Sequence, residues 1–231
     1  ASPAVLPDGS VRHVQAGTLR AIAADGTTLF TTGGAAGHVT VAQNGDMAVS
    51  FGPIGHGGHT LNEHNVPAVR YFNADGSIRW TLLAYHGGNR QTMVFGPDNT
   101  LYNGGTAYNP ADGSVKWSDP APIGAAAALG KNGQLYVSGS SQIRAYNKDT
   151  GAILWTVALP GDNVDRVAID SRDVLYATTA NGYFVSISPS GSILWQLKVT
   201  DKFDTAPIVA AGDLIVAEGY KGFDHFVYAA R

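Results

Sequence analysis

Three of the seven histidines fall within nine residues, at His56, His59 and His64, inside the stretch Phe51-Gly-Pro-Ile-Gly-His-Gly-Gly-His-Thr-Leu-Asn-Glu-His-Asn-Val-Pro67. A fourth follows in Ala84-Tyr85-His86-Gly-Gly-Asn-Arg90. An imidazole titrates near pH ~6.5 and so can take or give a proton at neutral pH. His56 and His59, with two residues between them, and Glu63 close behind are also nitrogen and oxygen donors of the kind that bind zinc. Tyr85 and Arg90 add a phenol and a fixed positive charge beside His86.

Glycines and prolines surround these groups. Such a loop lets the backbone approach a ligand, and irregular loops on a rigid frame are where binding and catalytic residues concentrate. The alternatives at this point are proton transfer, a metal centre held by His56, His59 and Glu63, and histidines that are simply solvated. His13, His38 and His225 stand alone and read as strand or loop residues satisfied locally.

The frame is legible in a repeat. Asp75-Gly-Ser-Ile-Arg-Trp80, Asp112-Gly-Ser-Val-Lys-Trp117, Asp149-Thr-Gly-Ala-Ile-Leu-Trp155 and Ser190-Gly-Ser-Ile-Leu-Trp195 share a turn glycine four residues before a tryptophan, and the tryptophans recur at intervals of 37, 38 and 40 residues. A period of that length signals a repeat architecture. Within a unit, alternating stretches such as Gln142-Ile-Arg-Ala-Tyr146 flank Gly-containing turns, the pattern of a hairpin. Lys131-Asn-Gly-Gln-Leu-Tyr-Val137 places polar turn residues before a further apolar strand. One unit is then about four short strands, a propeller blade, and residues 1–231 form one all-β domain.

Turn-plus-four marks at His13, Val49, Trp80, Trp117, Trp155 and Trp195 predict six four-stranded blades of about 38 residues. The alternative is five blades with Phe51 to Pro67 as an inserted loop. Residues 6–13 read as the last strand of a blade. Residues 211–217 and 225–228 read as middle strands with no outer strand following, so pairing the two ends in one blade would close the ring and remove exposed edges.

Composition agrees with this frame and narrows the partners. With 29 glycines and 11 prolines among 231 residues, tight turns are favoured and helix content should be close to nil. A formal net charge of −3 without a run of like charges argues against nucleic acid as a partner. No apolar run approaches the ~20 residues of a membrane span. The absence of cysteine excludes a disulfide framework and thiolate chemistry. Ala1-Ser-Pro-Ala suits a mature end left by signal-peptide cleavage, which leads to an expectation of a secreted, periplasmic or cell-surface protein.

The turn-glycine-tryptophan grammar resembles PQQ-type propeller repeats over roughly residues 80–220. Quinoprotein dehydrogenases of that kind are longer, have more blades and often carry adjacent cysteines at the cofactor, so the resemblance implies the architecture rather than bound quinone, and no cofactor is assigned. A second resemblance covers residues 56–90. His64-Asn-Val-Pro67, Asp75-Gly-Ser-Ile78 and His86 are similar to the histidine motif of ulvan-lyase-type propeller polysaccharide lyases. It implies that His64 and His86 face a uronate at the mouth of the ring, with Tyr85 and Arg90 as the nearest phenol and carboxylate-neutralising cation for a β-elimination.

Three functions follow in order of expectation. The first is an exported module binding a neutral or acidic glycan at the histidine-rich face. The second is a polysaccharide lyase working through His64 and His86, and the third is a structural or protein-interaction propeller.

Overall fold

The computed structural model describes residues 3–35, 37–51, 66–84, 92–121, 123, 126–161, 164–203, 207–210, 214–222 and 224–230. The described residues form 24 strands and no helix. The chain divides into two compact units, Ala1–Tyr102 with Ala107–Lys116 and Asn103–Thr106 with Trp117–Arg231.

The first unit opens with a sheet of β1 (Ala4–Val5), β2 (Val11–Gln15), β3 (Thr18–Ile22) and β4 (Thr28–Gly33), in sequence order. Its second sheet is β5 (Gly37–Val41), β6 (Met47–Phe51), β7 (Val66–Phe72) and β8 (Ile78–Ala84). The division between units passes through the third, made of β9 (Met93–Phe95), β10 (Leu101–Asn103), β11 (Thr106–Tyr108) and β12 (Val115–Ser118). The second unit holds the fourth sheet, β13 (Ala126–Leu129), β14 (Gln134–Gly139), β15 (Gln142–Asn147) and β16 (Ile153–Ala158). The fifth sheet is β17 (Val164–Ile169), β18 (Leu175–Thr179), β19 (Tyr183–Ile187) and β20 (Ile193–Lys198).

The last sheet is built differently. β21 (Lys202–Phe203) and β22 (Ile208–Ala210) share one edge of β23 (Leu214–Lys221), and β24 (Asp224–Ala230) takes the other. Six four-stranded sheets agree with the expected blade number, and helix is absent among the described residues as expected.

One expectation is corrected. Residues 6–13 do not complete a C-terminal blade. Arg12 pairs with Ala4 on one side and Ala21 on the other, so β2 is an inner strand with both edges taken. The reason lies in turn chemistry. Asp8 Oδ1 accepts from Ser10 N at 2.9 Å and Oγ at 2.6 Å, the same side-chain closure with which Asp75 accepts from Ser77. An Asp-Gly-Ser turn thus serves the first hairpin of a sheet as well as the last. Val49 is misplaced for the same cause: it lies on inner strand β6, after the Asn44-Gly45-Asp46 turn. The aromatic of the first sheet is Phe30, four residues after Gly26, and not His13.

Register makes the equivalence plain. Phe30 pairs with Ala21, Trp80 with Tyr71, Trp155 with Ala145 and Trp195 with Ser186, and each time the outer strand carries a bulge just before the aromatic, at Leu29, Arg79, Leu154 and Leu194. Each aromatic then reaches the next sheet. Trp80 Nε1 donates to Pro110 O at 3.0 Å, Trp117 Nε1 to Lys148 O at 2.8 Å and Trp155 Nε1 to Pro189 O at 2.9 Å. The turn glycine of that next sheet lies over the ring: a Cβ on Gly113, Gly151 or Gly191 would stand 2.9, 2.6 or 2.7 Å from the indole, and one on Gly76 would collide with Phe30. Trp80, Trp117 and Trp155 therefore share one kind of site, and Trp195 has the same register; Trp80 is buried, but the other three are half-buried where burial between sheets was expected.

Cores form where consecutive sheets face each other. Leu19 packs with Met47, Val49 and Phe72, and Val69 and Tyr71 pack with Met93 and Leu101. In the second unit Tyr136, Ile143 and Ala145 meet Leu175, Ala177 and Val185, and Tyr176 and Phe184 meet Phe203 and Ile215. Burial of such side chains, about 1.5–3 kcal/mol for each large one, is what holds sheet to sheet.

Candidate functional site

The candidate residues His56, His59, Glu63 and His64, and with them Tyr85, His86 and Arg90, lie outside the described residues. What is described is the frame to which they attach. Phe51 ends β6 and pairs with Gly37, while Val66 begins β7 and pairs with Ala84, the last residue of β8. Residues 52–65 and 85–91 thus leave from the same end of the same sheet. Tryptophan-centred packing and the buried Val69 and Tyr71 make that sheet a firm base for them.

Among the described residues no three His, Cys, Asp or Glu side chains come together as a metal site; His56, His59 and Glu63 are not among them. The titratable clusters that are described have another character. Asp119 Oδ2 accepts from Arg144 Nη1 at 2.5 Å and from Tyr146 Oη at 2.7 Å, and Asp119 Oδ1 accepts from Ala121 N at 2.9 Å. Asp170 is held by Arg172 Nε and Nη2 at 3.0 and 2.7 Å and by Tyr176 Oη at 3.3 Å. Asp46 takes Tyr71 Oη and Arg79 Nη2, each at 3.0 Å.

These environments set the protonation states. Burial works to raise the carboxyls of Asp119 and Asp170, but the donors around each outweigh it and hold both below the usual range. Burial, then the bond to Asp119, pushes the Tyr146 phenol up to about 12, and burial followed by the bond to Asp46 pushes Tyr71 up as well. A weakly basic carboxylate beside a reluctant phenol is unsuited to proton transfer at neutral pH. The three clusters lock strands and turns together.

A surface feature was missed in reading the sequence. Two residues before each tryptophan stands an exposed β-branched aliphatic: Ile78, Val115 (58% exposed), Ile153 and Ile193. Leu29, Leu154 and Leu194 (56% exposed) add to these one residue before an aromatic. All lie on β4, β8, β12, β16 and β20, the strands at the ends of the sheet orders. The signal was present in the repeat itself, as the Ile, Val or Leu within Gly-x-x-x-Trp, but alternation alone does not say which face of an edge strand meets solvent.

Comparison with known proteins supports this architecture. No helix among the described residues is long and apolar enough to cross a membrane, in line with the sheet-only fold. No curated protein matches the sequence. Among solved structures, the crystal structure of BamB from Moraxella catarrhalis superposes with a TM-score of 0.66 at 14% identity, over 100% of this chain and 75% of that one. A chain in the crystal structure of a mitotic checkpoint complex superposes with a TM-score of 0.72 at 14% identity, over 97% of this chain and 74% of its own length. The family model described as outer membrane protein assembly factor BamB matches residues 103–170 and 139–226, together more than half of the sequence. Gly113, Trp117, Gly151, Trp155, Gly191 and Trp195 fall inside those limits, and the chain belongs to this BamB family of PQQ-like β-propeller repeats.

Proposed function

We propose that the protein is a protein-interaction propeller, a scaffold whose sheet edges receive other polypeptides. The carrying observation is the recurrence of exposed aliphatics at one repeat position on successive edge strands, from Ile78 to Ile193. Edge strands that expose apolar side chains offer a surface on which another chain can pair. Two further facts support the reading. The family is described as an assembly factor for outer membrane proteins, and both similar structures carry names of proteins that work in assemblies. The expected export to the cell envelope accompanies this reading.

Photo-reactive side chains at Leu154 and Leu194 test it. A defined protein should crosslink at both positions in cells, and Leu194→Lys with the probe at position 154, or Leu154→Lys with the probe at position 194, should reduce that capture at least tenfold with Tm unchanged. Crosslinking that ignores the lysines would sink the proposal.

A second reading has one observation in its favour: the segments bearing His64 and His86 leave from the paired strand ends Val66 and Ala84. It is glycan binding, with β-elimination of a uronate as its enzymatic form. Ulvan, alginate, pectin and glucuronan should then bind, with affinity lost in His64→Ala or His86→Ala. Release of products absorbing in the near ultraviolet would show the lyase, and no binding of any of the four would remove the reading.

A further inference from the structure

The turns that lead into the outer strands of the first unit carry a carboxylate beside the exposed aliphatics. Asp25 stands four residues before Leu29, Asp75 three before Ile78 and Asp112 three before Val115, and all six are exposed. In each turn one carboxylate oxygen is used internally. Oδ1 of Asp25 accepts from Thr27 N and Oγ1, that of Asp75 from Ser77 N and Oγ, and that of Asp112 from Ser114 N and Oγ, at 2.6–2.9 Å. Oδ2 of each meets no donor among the described residues. The donors of Thr27, Ser77 and Ser114 hold all three carboxyls below their ordinary range, so each carries its charge at neutral pH.

The cations on the same strands are committed elsewhere. Arg79 donates to Asp46 Oδ2 at 3.0 Å, Asn73 Oδ1 at 2.6 Å and Pro110 O at 3.2 Å, and Lys116 Nζ donates to Thr100 Oγ1 at 2.8 Å and Asp98 Oδ2 at 3.3 Å. The Asp75 and Asp112 turns are each fastened to the outer strand of the sheet before. Thr32 Oγ1 donates to Gly76 O at 2.9 Å and Trp80 Nε1 to Pro110 O at 3.0 Å, while Gly76 lies on the Phe30 ring and Gly113 on that of Trp80. Asp75 therefore shares a surface with Leu29, and Asp112 with Ile78. Exposed aliphatics and ionised carboxylates alternate along it.

We infer that this surface takes a basic, aliphatic segment of another polypeptide in extended form, with lysine or arginine at the turn carboxylates and valine, isoleucine or leucine against Leu29, Ile78 and Val115. Main-chain bonds along an outer strand and apolar contact supply affinity. The carboxylates supply selection, because they attract a positively charged segment and set like charges against an acidic one. The inference rests on the protein-interaction reading and adds the chemistry of the partner.

Its probe is a fluorescently labelled octapeptide of alternating lysine and valine, titrated into the intact protein and followed by anisotropy. Saturable binding is expected, at least tenfold weaker for the glutamate-valine and for the lysine-serine counterparts. Raising NaCl from ~50 to ~500 mM should also weaken it, by screening the exposed charges. Asp75→Asn with Asp112→Asn should cost at least fivefold and leave the turns intact, since Asn44 Oδ1 accepts from Asp46 N at 3.1 Å in the same way. Glu218→Gln with Asp224→Asn removes the same charge from the last sheet and should leave binding unchanged. Equal binding of the lysine-serine peptide, equal losses in the two double variants, or no binding at millimolar concentration would overturn the inference. If crosslinking at positions 154 and 194 still responds to the lysines while the lysine-valine and glutamate-valine peptides bind alike, the scaffold reading stands and the charge selection falls.

Discussion

Trp117 and Gly151 lie 34 residues apart in sequence and in ring-to-backbone contact in space. The indole lies against Gly151 so closely that a Cβ there would be 2.6 Å from the ring, while its Nε1 donates to Lys148 O at 2.8 Å. The repeat unit is therefore a link. Its glycine receives the aromatic of the unit before, and its tryptophan is received by the glycine of the unit after.

Substitution at Gly151 should separate backbone strain from collision. Gly151 and Gly133 have φ of 73° and 78°, but beside Gly133 the nearest atom to an added Cβ is Lys148 Cε at 3.8 Å. Gly133→Ala should cost about 1 kcal/mol, the left-handed strain alone. Gly151→Ala should cost about 2–4 kcal/mol, because the ring must also move. Urea unfolding of the two variants measures the difference, and equal losses would show that the ring yields freely.

At Trp155 the hydrogen bond and the packing can be taken apart. Trp155→Phe should lose about 1 kcal/mol with the bond to Pro189 O, since Phe30 shows that a phenyl ring fits the slot. Trp155→Ala should lose about 3–5 kcal/mol. The same denaturant series decides it, and a phenylalanine variant as unstable as the alanine one would contradict the slot model.

Acid should loosen the second unit through Asp119. Its carboxyl is held below its ordinary 3.8 in the fold, so the stabilisation is present above that value and is lost as pH falls from there through the folded value. Asp119→Asn should cost about 2–4 kcal/mol at pH 7 by leaving Arg144 without its carboxylate, and should flatten the fall in stability below pH ~4. Unfolding free energies at pH 3 and pH 7 check both statements.

Alkali should act through Tyr146. Its phenol is raised from 10.0 to about 12, so the contribution is complete below pH 10 and disappears as pH rises toward about 12. Tyr146→Phe should lower stability at pH 8 by about 1–2 kcal/mol through the lost bond to Asp119 and should remove part of the alkaline fall. A variant with an unchanged alkaline profile would remove Tyr146 from this role.

Local chemistry determined the repeat: Gly-x-x-x-Trp units such as Gly151 to Trp155 dictate hairpins, because a left-handed turn and a strand-forming tail are properties of a few adjacent residues. It also determined the all-β class, whereas six sheets was one of two readings, and its marks at His13 and Val49 fell on inner strands. Pairing partners were a different matter. Asp8-Gly9 and Asp25-Gly26 are alike as turns, and only the tertiary structure decided that the first closes an inner hairpin and the second introduces Phe30, because strand position depends on which edges neighbours have already taken. The same held for solvent exposure, where Ile153 and Ile143 are equally apolar in sequence but one stands on an outer edge and the other between sheets. For His64 and His86 the sequence named the residues, and the fold contributes the paired ends Val66 and Ala84 from which their segments depart, since only strand pairing brings positions 18 residues apart to one end of one sheet.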